Sequence, residues 1–194
     1  MPEALRDHAV SQLRYIRDTM ERAASFTAIP GRGGFIVGTI ALITTIIAAP
    51  LASTAPPIWL AAWLICAVVS AAIGWSAMAW KAKRAGVSLV TGVARRFLVA
   101  YFAPILAGAA LTFALWLDGA YRPMPAAWLL LYGASFVSSG AFSLRFVPVM
   151  GASFMACGIV AAFVPLTIAH FICGAAFALL HIGFGLFIAR NYGG

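Results

Sequence analysis

Six long apolar runs, none with an acidic or basic residue near its middle, occupy almost all of the chain after residue 33. They cover about residues 34–52, 58–80, 97–117, 126–144, 147–164 and 167–190. The second reads IWLAAWLICAVVSAAIGWSAMAW and the last TIAHFICGAAFALLHIGFGLFIAR. Each is close to the ~20 residues a helix needs to cross about 30 Å of hydrocarbon. Backbone in lipid must satisfy its own hydrogen bonds, and for a single run that means a helix. Composition points the same way: 63% of the 194 residues are hydrophobic and 9% charged, against about 25% charged in soluble domains. A water-soluble fold of this composition would expose large apolar patches and aggregate. The expected fold is all-α, a polytopic six-helix transmembrane bundle over residues 34–194, with residues 1–33 in front of it as a separate cytoplasmic element.

The links between runs carry charge alternately. Residues 1–33 hold five arginines, and the link after the first run, STAPP, has no charge. The link after the second holds Lys81, Lys83, Arg84, Arg95 and Arg96, and the one after the third only Asp118 and Arg122. Arg145 follows the fourth run, the link after the fifth is uncharged, and Arg190 closes the sixth. Cationic links stay on the cytoplasmic side, which places both termini there. The net charge of +8 is thus spent on topology. It forms no aromatic-basic patch of the kind that binds nucleic acid. Segment 81–96, KAKRAGVSLVTGVARR, reads either as a helix lying on the membrane surface or as a solvated loop.

The runs also resemble one another. AAWLICAVVSAAIGWSA from Ala61 matches AAWLLLYGASFVSSGAFS from Ala126, aligning Trp63 with Trp128 and Ser70 with Ser135. Ile172-Cys173 in the sixth run matches Ile65-Cys66 in the second, and the odd runs share IVGTIAL, ILAGAAL and PVMGASF. The pattern is that of three repeated helical hairpins. Small residues such as Ser135, Ser139 and Ser143, spaced by four, let helices approach closely; the alternative is a polar path for a solute.

Residues 3–24 form an amphipathic pattern. Leu5, Ala9, Leu13, Ile16, Met20 and Ala23 fall within an arc of about 80° at 100° per residue, with Asp7, Arg14, Asp18 and Glu21 opposite. Arg14–Asp18, Arg17–Glu21 and Asp18–Arg22 are i,i+4 pairs of opposite sign, which support an exposed helix. A lipid-surface anchor has a broad apolar face and a basic polar one. Here the stripe is narrow and the polar face mixes signs, so the six apolar residues are candidate contacts for the cytoplasmic end of the bundle, a second copy, or another protein. Gly31-Arg32-Gly33-Gly34 reads as a hinge after it.

Chemistry inside the spans is sparse. No Asp, Glu, Lys or Arg lies at depth, which argues against a proton-coupled carrier. The three cysteines, Cys66, Cys157 and Cys173, sit in apolar runs without metal-ligand spacing, as small buried hydrophobes do. No catalytic motif is present, so no catalytic or metal residue is assigned. His170 and His181 are 11 residues apart, about three turns and roughly 16 Å along one helix face. A neutral imidazole within a span either hydrogen-bonds or ligates a haem or chlorophyll metal. A second haem ligand would have to be Met78, Met150 or Met155, and their spacing selects none of them.

HAVSQLRYIRDTMERAASFTAIPGRGG near the start and LLHIGFGLFIARNYGG at the end resemble an uncharacterised family of six-span bacterial membrane proteins, encoded beside winged-helix regulators. The resemblance implies a bacterial inner membrane and supplies no activity, cofactor or site. The sequence expectation is therefore a non-enzymatic membrane protein acting through association with a protein partner or a second copy. The alternatives are a haem- or chlorophyll-carrying subunit and a small channel or carrier.

Overall fold

The computed structural model describes residues 8, 10–16, 20, 25–90 and 92–192. These are helical apart from short turns and one isolated bridge between Phe26 and Ser143. From residue 25 onward the helices are α1 (Gly31–Ala48), α2 (Leu51–Thr54), α3 (Pro56–Arg84), α4 (Gly92–Leu117), α5 (Met124–Gly140), α6 (Val147–Ala162) and α7 (Leu166–Tyr192). The six longer ones lie over the six apolar runs. Four of them, α1, α3, α4 and α7, are long and apolar enough to cross a membrane. The other two are shorter, at 17 residues for α5 and 16 for α6.

Local chemistry sets the ends. Pro56, Pro57, Pro125 and Pro148 stand in first turns, where a missing N–H has no intrahelical partner to lose. Gly86 ends α3 with φ +65°. Its N–H bonds the Lys83 carbonyl, and the next N–H, of Val87, bonds that of Ala82. This closure needs a left-handed residue, which glycine supplies without a Cβ clash. Segment 81–96 is consequently split. Lys81–Arg84 finishes α3, Arg95 and Arg96 lie in the first turns of α4, and a turn at Gly86 follows α3, so among its described residues the segment forms no separate surface helix. Gly31–Gly34 is the first turn of α1 rather than a hinge. Glycine stands there because a Cβ at Gly31 would collide with the Ala189 backbone of α7.

Glycines also choose the helix pairs. Helices α1 and α7 run antiparallel, with Gly31 at Ala189, Gly38 at Ala178 and Ile182, and Gly174 at Thr45. Helices α5 and α6 meet where Gly133 and Gly151 each face the other's backbone. Such close approach gains dispersion contact in a solvent that offers no hydrophobic drive between helices. Helix α4 packs on α5, α3 on α1, and α6 on α7. Helices α3 and α4, consecutive in the chain, scarcely touch along their length.

Helix α4 contains Pro104, which cannot donate to the carbonyl of Ala100. The Ser138 hydroxyl of α5 lies 2.8 Å from that carbonyl and 2.8 Å from the Ala134 carbonyl of its own helix, so its one proton is shared between them and a neighbouring helix partly satisfies what the proline releases. Large aliphatic residues face outward: Ile46, Ile65, Val68, Leu106 and Leu179 are each 65–69% exposed. Water would penalise that surface, whereas lipid does not.

Residues 10–16 are helical. Of the six stripe residues, Leu13, Ile16 and Met20 are exposed, and Leu5, Ala9 and Ala23 lie outside the described residues. The linker to α1 is tied down. Phe26 donates its N–H to the Phe142 carbonyl at 2.7 Å and accepts the Ser143 hydroxyl at 2.6 Å. Its buried ring packs on Phe97, centroids 4.7 Å apart, among Ala82 and Ala94.

Candidate functional site

The space left between α3 and α4 is a cavity of about 440 Å3, inside the ~300–1,000 Å3 range of small-molecule sites. Its wall is built mostly of rings and small residues. Helix α3 contributes Trp63, Ser70, Gly74 and Trp75; helix α4 contributes Tyr101, Phe102, Pro104 and Gly108; and α1, α5 and α7 form the back. Glycine on the wall creates the room, since a Cβ at Gly74 would meet nothing within 4 Å. One side-chain bridge across the α3–α4 seam is the contact of Trp75 with Phe102, centroids 6.5 Å apart.

One end of the cavity is floored by a hydrogen-bonded cluster of rings. Trp59 and Trp63 both donate their indole N–H to Nδ1 of His170, at 2.9 and 3.3 Å. His170 then donates from Nε2 to the Thr45 carbonyl at 2.9 Å, because a carbonyl can only accept. Trp128 stacks on Trp59, centroids 5.4 Å apart, and donates to the Thr112 hydroxyl at 2.8 Å. Thr112 passes its own proton to the Gly108 carbonyl at 2.7 Å. At the other end, where the basic residues gather, Ile29, Pro30 and Phe97 close the space beneath the Phe26 tie.

His181 and Tyr132 are on the wall between these ends. His181 Nδ1 lies 2.8 Å from the Phe177 carbonyl, so in the neutral ring Nδ1 carries the proton and Nε2 is an acceptor. Tyr132 donates its hydroxyl to that Nε2 at 2.7 Å. Tyr101 packs edge-on to Tyr132, centroids 6.4 Å apart.

The two histidines read from the sequence thus differ in setting. Both nitrogens of His170 are engaged inside the floor cluster, away from the cavity wall. His181 is on the wall, but its Nε2 already holds the Tyr132 hydroxyl. A metal could reach either ring only by displacing a hydrogen bond. Met78 and Met150 line the same cavity as His181, whereas Met155 packs on Gly133. Among the described residues, no group of three or more His, Cys, Asp or Glu is arranged to hold a metal ion. Ser135 and Ser139 are fully buried; Ser135 donates to its own helix, to the Tyr132 carbonyl at 2.6 Å. They serve close packing of α5, and of the serines noted from the sequence only Ser70 reaches the cavity. Sequence reasoning passed over Tyr101 and Tyr132. The signal was there: Tyr132 is the tyrosine in the middle of an otherwise apolar run, and such a hydroxyl needs a partner.

No family model, curated protein or solved structure matches this chain.

Proposed function

We propose that this protein is a six-span, non-enzymatic membrane protein that takes a hydrophobic molecule sideways from the bilayer into the cavity between α3 and α4. The observation that carries this reading is the unsealed seam. Taken as hairpins, α1–α3, α4–α5 and α6–α7 have three junctions. Glycines close the α7–α1 and α5–α6 junctions, while the α3–α4 junction is left to side chains. A threefold repeat fits this picture. Setting Ile65-Cys66 on Ile172-Cys173 and Trp63 on Trp128 brings Trp63, Trp128 and His170 into register, and these three rings lie together in the floor cluster. Helices α5 and α6, though short, complete the bundle by packing on each other, α5 also on α4 and α6 also on α7. The basic end faces the cytoplasm, with both termini, and a bacterial inner membrane is the setting the sequence resemblance implies.

The test is to extract the full chain from its own membrane into nanodiscs and identify co-purifying small hydrophobic molecules by mass spectrometry. Filling the cavity through Gly74→Leu should remove the bound molecule while the protein stays folded. A protein that carries nothing, and that Gly74→Leu leaves unaltered in ligand content, refutes the reading.

A second reading keeps association through residues 4–24 as the function, and one observation favours it. Leu13, Ile16 and Met20 are 66%, 51% and 68% exposed, so their stripe is uncovered by the bundle. Mild-detergent affinity purification should then recover a stoichiometric partner or a dimer that replacing these three by Ser abolishes.

A further inference from the structure

Resting on the cavity reading, we propose that the molecule held there is a neutral lipid alcohol: a long apolar body carrying a hydroxyl that donates to the Tyr132 oxygen. The hydrogen-bond polarity of the wall supplies the reasoning. The carbonyl of Phe177 fixes the proton of His181 on Nδ1. That forces Tyr132 to donate into the wall, to Nε2, and leaves its oxygen lone pairs for the cavity side. Four other donors are likewise spent inside the protein. The indoles of Trp59 and Trp63 serve His170, the indole of Trp128 serves Thr112, and Thr112 serves Gly108. The wall therefore meets a ligand with the Tyr132 acceptor, joined by the adaptable hydroxyls of Tyr101 and Ser70 and by the indole of Trp75, which has no hydrogen-bond partner among the described residues.

Two classes of lipid head fit this wall poorly. A carboxylate or phosphate would be buried where the lining holds no Lys or Arg, and a buried charge without a partner is strongly disfavoured. A head that only accepts, such as an ether, can take a proton from Trp75, Tyr101 or Ser70 but leaves the Tyr132 oxygen without a donor. A hydroxyl adds one donor to the chain ending at Phe177 and breaks none of its bonds. The rest of the lining is aromatic and aliphatic, matching a chain or ring system, and the α3–α4 seam lets that body continue into the bilayer.

The test uses the full chain in nanodiscs and the fluorescence of Trp63, Trp75 and Trp128, quenched by bromine-bearing probes of one chain length. The probes are a fatty alcohol, its methyl ether and the corresponding carboxylate. The alcohol should bind about tenfold more tightly than the ether, the effect of one buried hydrogen bond, and the carboxylate more weakly still. Tyr132→Phe should bring alcohol and ether together. The comparison on the unaltered protein stands even where that variant is unstable. Equal binding of alcohol and ether, or tighter binding of the carboxylate, overturns the head-group assignment and leaves the cavity reading intact. If no probe quenches beyond its partition into protein-free nanodiscs, the cavity reading falls and this inference with it.

Discussion

Replacing Gly38 by alanine should loosen the α1–α7 seam, whereas the same change at Gly183 on the same pair should not. A Cβ at Gly38 would stand 2.7 Å from the Ala178 carbonyl oxygen and 2.9 Å from the Ile182 nitrogen. Ordinary contact begins at 3.4 Å, so the helices must part by several tenths of an ångström, and both obstacles are backbone that cannot rotate away. Overpacking of this kind costs about 1–3 kcal/mol. Gly183 sits on α7 with nothing within 4 Å of its Cβ position. Both substitutions gain the roughly 0.8–1 kcal/mol by which alanine exceeds glycine as a helix former, so that term cancels in the comparison. Gly183→Ala should be neutral or stabilising, and Gly38→Ala should lie about 1–3 kcal/mol below it. The assay is reversible unfolding of both variants in mixed micelles, followed by helical circular dichroism. A Gly38→Ala protein as stable as Gly183→Ala would refute the view that glycine backbone contact, rather than general apolar packing, joins α1 to α7.

Four further substitutions probe the polar and aromatic devices. Ser138→Ala removes the proton that the Ala100 carbonyl shares with Ala134 and should cost about 1 kcal/mol; Pro104→Ala, by restoring an intrahelical N–H, should erase part of that loss in a double-mutant cycle read by the same unfolding assay. Trp59→Phe removes the shorter of the two indole bonds to His170 and should destabilise by about 1–3 kcal/mol, with the emission spectrum reporting any shift of Trp63. Phe26→Ala empties the space beside Phe97 and should cost about 3–5 kcal/mol in the unfolding assay, together with faster proteolysis ahead of Gly31.

Much of the architecture is legible in the chain because the bilayer imposes it. Runs of about 20 apolar residues must be helical, and the proline and glycine positions mark where helices begin and end. So the run 58–80 is recognisably the body of α3, and Gly86 its stop. The charged ends of the runs are equally plain. Less was legible where α5 and α6 meet. Apolar residues 141–144 continue the fourth run, but in the fold Phe142 and Ser143 leave the helix to hold Phe26. Only a contact more than a hundred residues away reveals why.

The site was harder to foresee than the fold. In water, an apolar stripe tells which face of a helix is buried. Here every face of a span is apolar, so periodicity does not separate lipid from protein. Gly38 and Gly183 look alike in sequence, yet one is wedged against backbone and the other faces open space. His170 and His181 share a helix, and their spacing alone cannot say that one would be enclosed by two indoles and the other placed on a cavity wall beside Tyr132. By itself the sequence determined that the chain is helical, where most helices begin and end, and which ends carry the charge, because hydrocarbon solvation acts on each segment locally. The tertiary structure alone decided which junctions close, which stays open, and which polar side chains face the space between α3 and α4. Those outcomes depend on steric fit and hydrogen-bond polarity between residues far apart in the chain.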